Sequence, residues 1–153
     1  MEKKMNKINS FRDEYYFLSN FYECSVTYNG LTYKNNEAAF QAQKCINPKD
    51  REKFCNLRAS ESKKLGRRVV LRKDWEDIKI KVMTDIVKAK FKQNEDLQKK
   101  LLATEDAYLE EENTWGDRIW GTVNGVGANN LGRILMNVRK ELQLELDRDV
   151  ELD

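Results

Sequence analysis

The sequence predicts a mainly helical α+β fold with one small antiparallel β-hairpin. Three observations carry this reading. An Asn29-Gly30 pair separates two strand-like runs, apolar residues then recur at helical spacing over much of 36–103, and the same spacing returns over 131–144. A period of two marks strands, and a period near 3.6 marks helices that bury one face.

The hairpin comes first in the chain. Ser25-Val26-Thr27-Tyr28 and Leu31-Thr32-Tyr33 are rich in β-branched and aromatic residues. Asn-Gly between such runs suits the two positive φ angles of a type I′ turn. Past it, Asn35 or Asn36 can cap a helix with Glu37 in its first turn. Ala38, Ala39, Ala42 and Cys45 give that helix an apolar face, and Pro48 is expected to stop it. Further helices are expected over 48–56, over 60–67, over 75–91 with Ile78, Val82, Ile86 and Ala89 on one face, and over 95–103.

The stretch 110–130 holds four of the seven glycines and no sustained period, and reads as a functional loop between helices. It leads into a helix over 131–144, with Leu131, Ile134, Leu135, Val138 and Leu142 on one face. Residues 1 to 8 are basic and polar, and five carboxylates lie between Glu145 and Asp153, so both ends are expected to fray. At 153 residues the chain is expected to form one domain over 1–153, with its core over about 8–144.

Composition narrows the function. With 28 basic and 26 acidic side chains, the net charge of +2 does not mark a dedicated duplex-binding protein. A local basic patch stays open. Cys24, Cys45 and Cys55 are odd in number and lack C-x-x-C spacing. No signal-peptide pattern or membrane-spanning apolar run is present, so a reducing cytoplasm is expected and no membrane partner. Histidine is absent, which removes Ser-His-Asp triads, Cys-His pairs and H-E-x-x-H zinc sites. Chemistry here falls to carboxylates, lysines, cysteines, tyrosines or water. No metal or organic cofactor is expected.

Four constellations can carry chemistry. Glu37, Gln41 and Lys44 fall on one helical face, because steps of four and three return to the same side. Partial burial beside Ala38, Ala42 and Cys45 would lower the lysine pKa and raise that of the carboxylate. The same spacing also describes an ordinary solvated face with helix-stabilising contacts. Next, Lys63, Lys64, Arg67, Arg68, Arg72 and Lys73 gather near Gly66, a composition suited to phosphate or to a plain solvated surface. Trp75 beside them can stack on a ring or serve as a core residue. Lastly, 115–121 and 125–133 form a glycine-rich entry to a helix, whose free N–H groups can receive an anion. It is neither a Walker A loop nor a G-x-G-x-x-G fingerprint.

In order, Leu18-Ser19-Asn20-Phe21-Tyr22, Glu37 with Gln41 and Lys44, Gly66-Arg67, Asp74-Trp75, Met83 and Ala89-Lys90-Phe91 resemble the motifs of the NADAR (YbiA-like) family. The match continues through 101–104, Asp117, Trp120-Gly121, Asn129-x-Leu131-Gly132, Leu135-Met136 and Arg139, so it covers about Ile8 to Leu142. The resemblance implies a compact YbiA-like multihelical fold. It also implies N-glycosidase activity, on phosphorylated ribosylaminopyrimidine intermediates of riboflavin synthesis or on ADP-ribose attached to guanine. Many members carry Glu-His where this chain has Glu37-Ala38, so no histidine role transfers.

The expected catalytic residues are then Lys44 as a Schiff-base nucleophile, Glu37 as its proton-transfer partner, and Asp117 at the ribose hydroxyls or the developing charge. The expected binding residues are Asn20, Phe21, Gln41, Gly66, Arg67, Trp75, Trp120, Gly121, Gly127 and Asn129, with Trp75 stacking on the base and Arg67 and the 127–129 turn holding phosphate. The substrate is expected to be a small ribosyl phosphate compound or an ADP-ribosylated nucleic acid. A module that binds ADP-ribose or NAD without cleaving it is the competing expectation. The sequence leaves the oligomeric state open.

Overall fold

The computed structural model describes residues 7–152 and has the expected α+β composition. In chain order the elements are β1 (Lys7–Ile8), a 3₁₀ helix (Asp13–Leu18), β2 (Glu23–Tyr28), β3 (Leu31–Asn35), α1 (Asn36–Ala42), α2 (Pro48–Glu52), α3 (Ala59–Gly66), α4 (Trp75–Gln93), α5 (Glu95–Leu102), β4 (Tyr108–Leu109) and α6 (Asn130–Leu152). The chain divides into two compact units: Ser19–Glu95, and Met1–Leu18 with Asp96–Asp153.

In the unit Ser19–Glu95, Asn29 (φ 49°) and Gly30 (φ 84°) make the hairpin turn, and Tyr28 pairs with Leu31. Both residues take positive φ, as a type I′ turn requires. Val26 faces Tyr33 across the hairpin and both are buried. The Gln93 side chain donates to the Thr27 carbonyl and accepts from the Thr27 N–H, which fastens the end of α4 to β2.

Helix α1 is buried along its whole length. Its cap is Asn35, whose side-chain oxygen accepts from the Ala38 N–H at 2.8 Å while its Nδ2 donates to the Leu57 carbonyl. The helix ends at Ala42, well before Pro48. Residues 43–45 continue as successive i→i−3 turns, Gln43 to Phe40, Lys44 to Gln41 and Cys45 to Ala42. Such tightening satisfies the last carbonyls of a helix. Pro48 instead opens α2, with Asn47 as its cap, and α2 closes at Glu52 rather than near Asn56.

Lys90 on α4 is 1% exposed. Its ammonium donates to the Ser19 carbonyl at 3.1 Å and lies over the rings of Tyr22 and Phe91. Burial pushes its pKa down to about 8, against an opposing pull from Cys24. A lysine with a lowered folded pKa binds fewer protons folded than unfolded between that value and its ordinary 10.5. Its contribution to stability therefore rises as pH climbs from about 8 toward 10.5, by an amount on the order of 3 kcal/mol. Cys24, Cys45, Cys55 and Tyr33, whose pKa is pushed up to about 12, all act oppositely at alkaline pH. The comparison that isolates Lys90 is the difference between wild type and Lys90→Met. Urea unfolding across pH 7–10.5 should show wild type gaining on the variant as pH rises, and a constant difference would disprove the assignment.

In the other unit, β1 and β4 pair in parallel, Lys7 with Tyr108 and Ile8 with Leu109. Helix α6 buries Leu131, Ile134, Leu135, Val138 and Leu142, the face the sequence predicts. It does not end near Leu144, and the tail expected to fray continues as helix to Leu152. Glu, Leu and Arg are good helix formers, and Gln143 donates to Asp147 one turn on. Of residues 1–8, expected to fray, Lys7 and Ile8 instead pair in β1 and Ile8 is buried, while residues 1–6 lie outside the described residues. No helix among the described residues is long and apolar enough to cross a membrane.

Candidate active site

Within Ser19–Glu95 a polar group assembles on α1 and its neighbours. Glu37 and Gln41 lie one turn apart on α1, both buried, and the Gln41 amide donates to a Glu37 carboxylate oxygen at 2.9 Å. Lys44 sits in the tightened turn after the helix and is half-buried. Its ammonium reaches the Gly66 carbonyl at the end of α3 at 3.4 Å. The Glu-Gln-Lys stripe is therefore drawn into a helix-helix contact instead of facing solvent.

Burial is the main reason the Lys44 pKa falls below its ordinary value. Glu37 opposes that fall, while Arg67 and Lys79 add to it. An amine whose charged form is disfavoured is more readily neutral near physiological pH, as a nucleophilic amine must be.

Gly66 is where α3 comes close to α1. A Cβ at that position would overlap the Gln41 side-chain amide. Gly66→Ala is therefore expected to push Gln41 off Glu37, cost about 1–3 kcal/mol and lower turnover. Denaturant unfolding and steady-state rates would measure both. Adding Gln41→Ala should restore the stability but not the rate, and a Gly66→Ala enzyme with full stability would contradict the packing.

The loop Ser19–Tyr22 closes the start of α1. The Asn20 carbonyl accepts the Glu37 N–H at 3.0 Å, and the Asn20 side chain contacts Asn36 and the Met83 sulfur. Phe21 next to it is exposed, with the Lys63 ammonium 6.0 Å from its ring centre. Lys63 is a site-adjacent residue the sequence offered only as one of six basic residues. Its partnership with Phe21, 42 positions earlier, has no sequence signature.

The basic residues do not converge as a group. Arg67 caps the end of α3 and is exposed, near enough to Lys44 to depress its pKa. Arg72 is bound by Asp74 at 2.6 and 3.1 Å, and its own N–H donates to the Lys44 carbonyl. Trp75 is a core residue, 4% exposed, with its ring centre 5.0 Å from that of Phe40. The expected stacking on a substrate base is thus corrected: the indole's faces are enclosed by protein.

The remaining expected residues lie together in the 113–131 loop of the other unit. One carboxylate oxygen of Asp117 accepts the N–H groups of Ile119 and Trp120, at 3.0 and 2.9 Å. Its backbone is held at both ends by the Asn113 amide. Trp120 is half-buried. Gly121 sits against the Glu111 carbonyl, and Gly127 against Gly121 and Arg118, so neither position has room for a side chain. Asn129 uses its side chain to bridge the Leu109 carbonyl and the Glu111 N–H.

The amides expected to receive an anion here are already engaged. Those of Ala128, Asn129, Asn130 and Leu131 donate to the carbonyls of Arg118, Gly121, Ile119 and Trp120. The loop folds back over the start of α6 and supplies its capping acceptors. Composition could not distinguish that closed arrangement from an open cradle.

Comparison with known proteins agrees with this architecture. The NADAR domain family model matches residues 7–143. The N-glycosidase YbiA of Shigella boydii is 39% identical over 137 residues, covering 87% of this chain and 85% of that protein. A riboflavin biosynthesis protein of Vibrio vulnificus is 44% identical over 131 residues, 83% of this chain but only 35% of its own length. The chain thus spans about a third of that longer relative. The NMR structure of the Escherichia coli protein YbiA superimposes with a TM-score of 0.81 at 36% identity, covering 95% of this chain and 88% of that one.

Proposed function

The chain belongs to the NADAR family, and from that premise we propose that it is an N-glycosidase cleaving the C1–N bond of a ribosyl phosphate compound. The observation that carries this reading is the pairing of a half-buried Lys44 of lowered pKa with a buried carboxylate, Glu37, held by Gln41. Relatives named N-glycosidases, from Shigella boydii and from Nostoc punctiforme at 37% identity over 114 residues, support it.

The residues divide the reaction as follows. Ring opening of the ribosylamine gives an iminium at C1 that still carries the leaving amine. Neutral Lys44 adds to C1, and Glu37 carries the proton to the departing nitrogen as the C1–N bond breaks, leaving the sugar as a Schiff base on Lys44. Water then adds to C1 and the lysine leaves, giving the free ribosyl phosphate and the original amine. Phe21 offers an exposed ring next in sequence to Asn20, whose carbonyl holds the Glu37 N–H, and Arg67 a cation for phosphate. The Gln41 Oε1 is buried without a hydrogen-bond partner among the described residues, and a sugar hydroxyl would satisfy it. Asp117 orders its own loop through one carboxylate oxygen.

The substrate is a phosphorylated ribosylaminopyrimidine of riboflavin synthesis or an ADP-ribosyl group on guanine. Purified protein is incubated with each, and with NAD, while mass spectrometry follows released amine and ribosyl phosphate. Release from one substrate fixes the class. Binding of ADP-ribose without release from any of them would replace the enzyme by a nucleotide-binding module.

A further inference from the structure

Two surfaces carry exposed aliphatic side chains that the proposed chemistry leaves unused, and their charges are opposite. One is a groove of about 810 Å³ between the 45–53 segment and the 68–74 loop. Ile46, 70% exposed, Val70, 93% exposed, and Leu71 line it together with Leu65. Aliphatic residues so exposed and gathered on one surface mark a place where another molecule docks. Of the charged residues lining the groove, Lys53 is paired with Asp50 and Arg72 with Asp74. Arg68 and Lys73 have no carboxylate pair among the described residues, so the groove is apolar with a net charge of +2.

The other surface is the end of α6. Its buried face, Leu135, Val138 and Leu142, continues at helical spacing through Leu146 and Val150, which is 75% exposed. The apolar stripe runs past the part of the helix that buries it. Around it stand Glu145, Asp147, Asp149 and Glu151 against a single cation, Arg148, for a net charge of −3. Two such ends side by side would repel one another, which disfavours pairing of α6 with α6. An apolar surface of opposite charge fits it, and the groove is one.

We infer that the end of α6, residues 144–151, docks in the 45–74 groove of a second copy of this chain, with Leu146 and Val150 against Ile46, Val70 and Leu71 and the acidic residues facing Arg68 and Lys73. Two turns of helix bury a small area, so the contact is weak when single and gains strength where two copies exchange ends reciprocally. The association therefore depends on concentration and weakens with salt.

Sedimentation velocity on the full chain from about 1 µM to about 1 mM, a span that brackets weak contacts, reads this directly. Wild type should move from monomer to dimer, and added salt should shift the transition to higher concentration. Arg68→Glu with Lys73→Glu should shift it at least ten-fold upward, as should Asp147→Lys with Asp149→Lys. Mixing the two double variants should restore a mixed dimer through both contacts, the reversed groove meeting the reversed end and the unaltered groove meeting the unaltered end. Circular dichroism establishes that each variant is folded, and Val150→Asp provides an independent disruption that leaves the groove untouched. A monomer throughout the range overturns the proposal. So does a dimer indifferent to both sets of reversals, or a pair of variants that stay apart when mixed.

Discussion

Lys44→Ala should lose essentially all turnover, a fall of about 10³-fold or more, while remaining folded. Among the described residues the Lys44 side chain makes one long hydrogen bond, to the Gly66 carbonyl at 3.4 Å, and its burial disfavours its own charge. Removing it should change stability by no more than about 1 kcal/mol. The activity loss is then chemical and not a folding defect. Borohydride added during turnover should fix the sugar to wild-type protein and leave the variant unlabelled. The pH profile gives a second reading. Because burial lowers the Lys44 pKa, the rate should rise with pH and level off below 10.5, the ordinary lysine value. A Lys44→Ala enzyme that turns over normally would remove covalent lysine chemistry altogether.

How much of this was legible beforehand depends on how local each feature is. The hairpin was readable because Asn29-Gly30 dictates a turn whatever surrounds it. Helices α4 and α6 were readable because long periodic faces outweigh local noise. The end of α1 was not, since Pro48 offers a visible stop while the early closure at Ala42 comes from 3₁₀ turns that leave no mark in composition. The β1–β4 pair was missed because a two-residue strand has no period to detect and its partner lies about 100 positions away.

The site divides in the same way. Glu37 and Gln41 were placed together by helical spacing, and the structure joins them by a hydrogen bond. The approach of Gly66 to Gln41, of Lys44 to Gly66 and of Lys63 to Phe21 depends on how separate segments pack, which no spacing rule reaches. Trp75 and Asn129 show the reverse error. Both occur in motif positions that suggested ligand contact, yet one fills the core and the other staples backbone. A motif residue can serve the fold as easily as the reaction, and only its partners tell which.

Glu37→Gln tests that distinction at the second catalytic position, and kcat is expected to fall by about 10²–10⁴-fold with KM little changed. The substitution keeps the side chain's size, and a glutamine oxygen at 37 can still accept the hydrogen bond from Gln41. The buried packing of α1 should therefore survive. What disappears is the capacity to carry a proton and the negative charge beside Lys44. That charge holds the lysine's pKa up against burial and against Arg67 and Lys79. With it gone, the Lys44 pKa should drop further, so the rising limb of the pH–rate profile should move to lower pH even as the plateau falls. A residue that merely supported α1 would lower the rate without moving the limb. Parallel profiles for wild type and Glu37→Gln, differing only in height, would therefore demote Glu37 to a structural role and require another group to carry the proton to the leaving nitrogen.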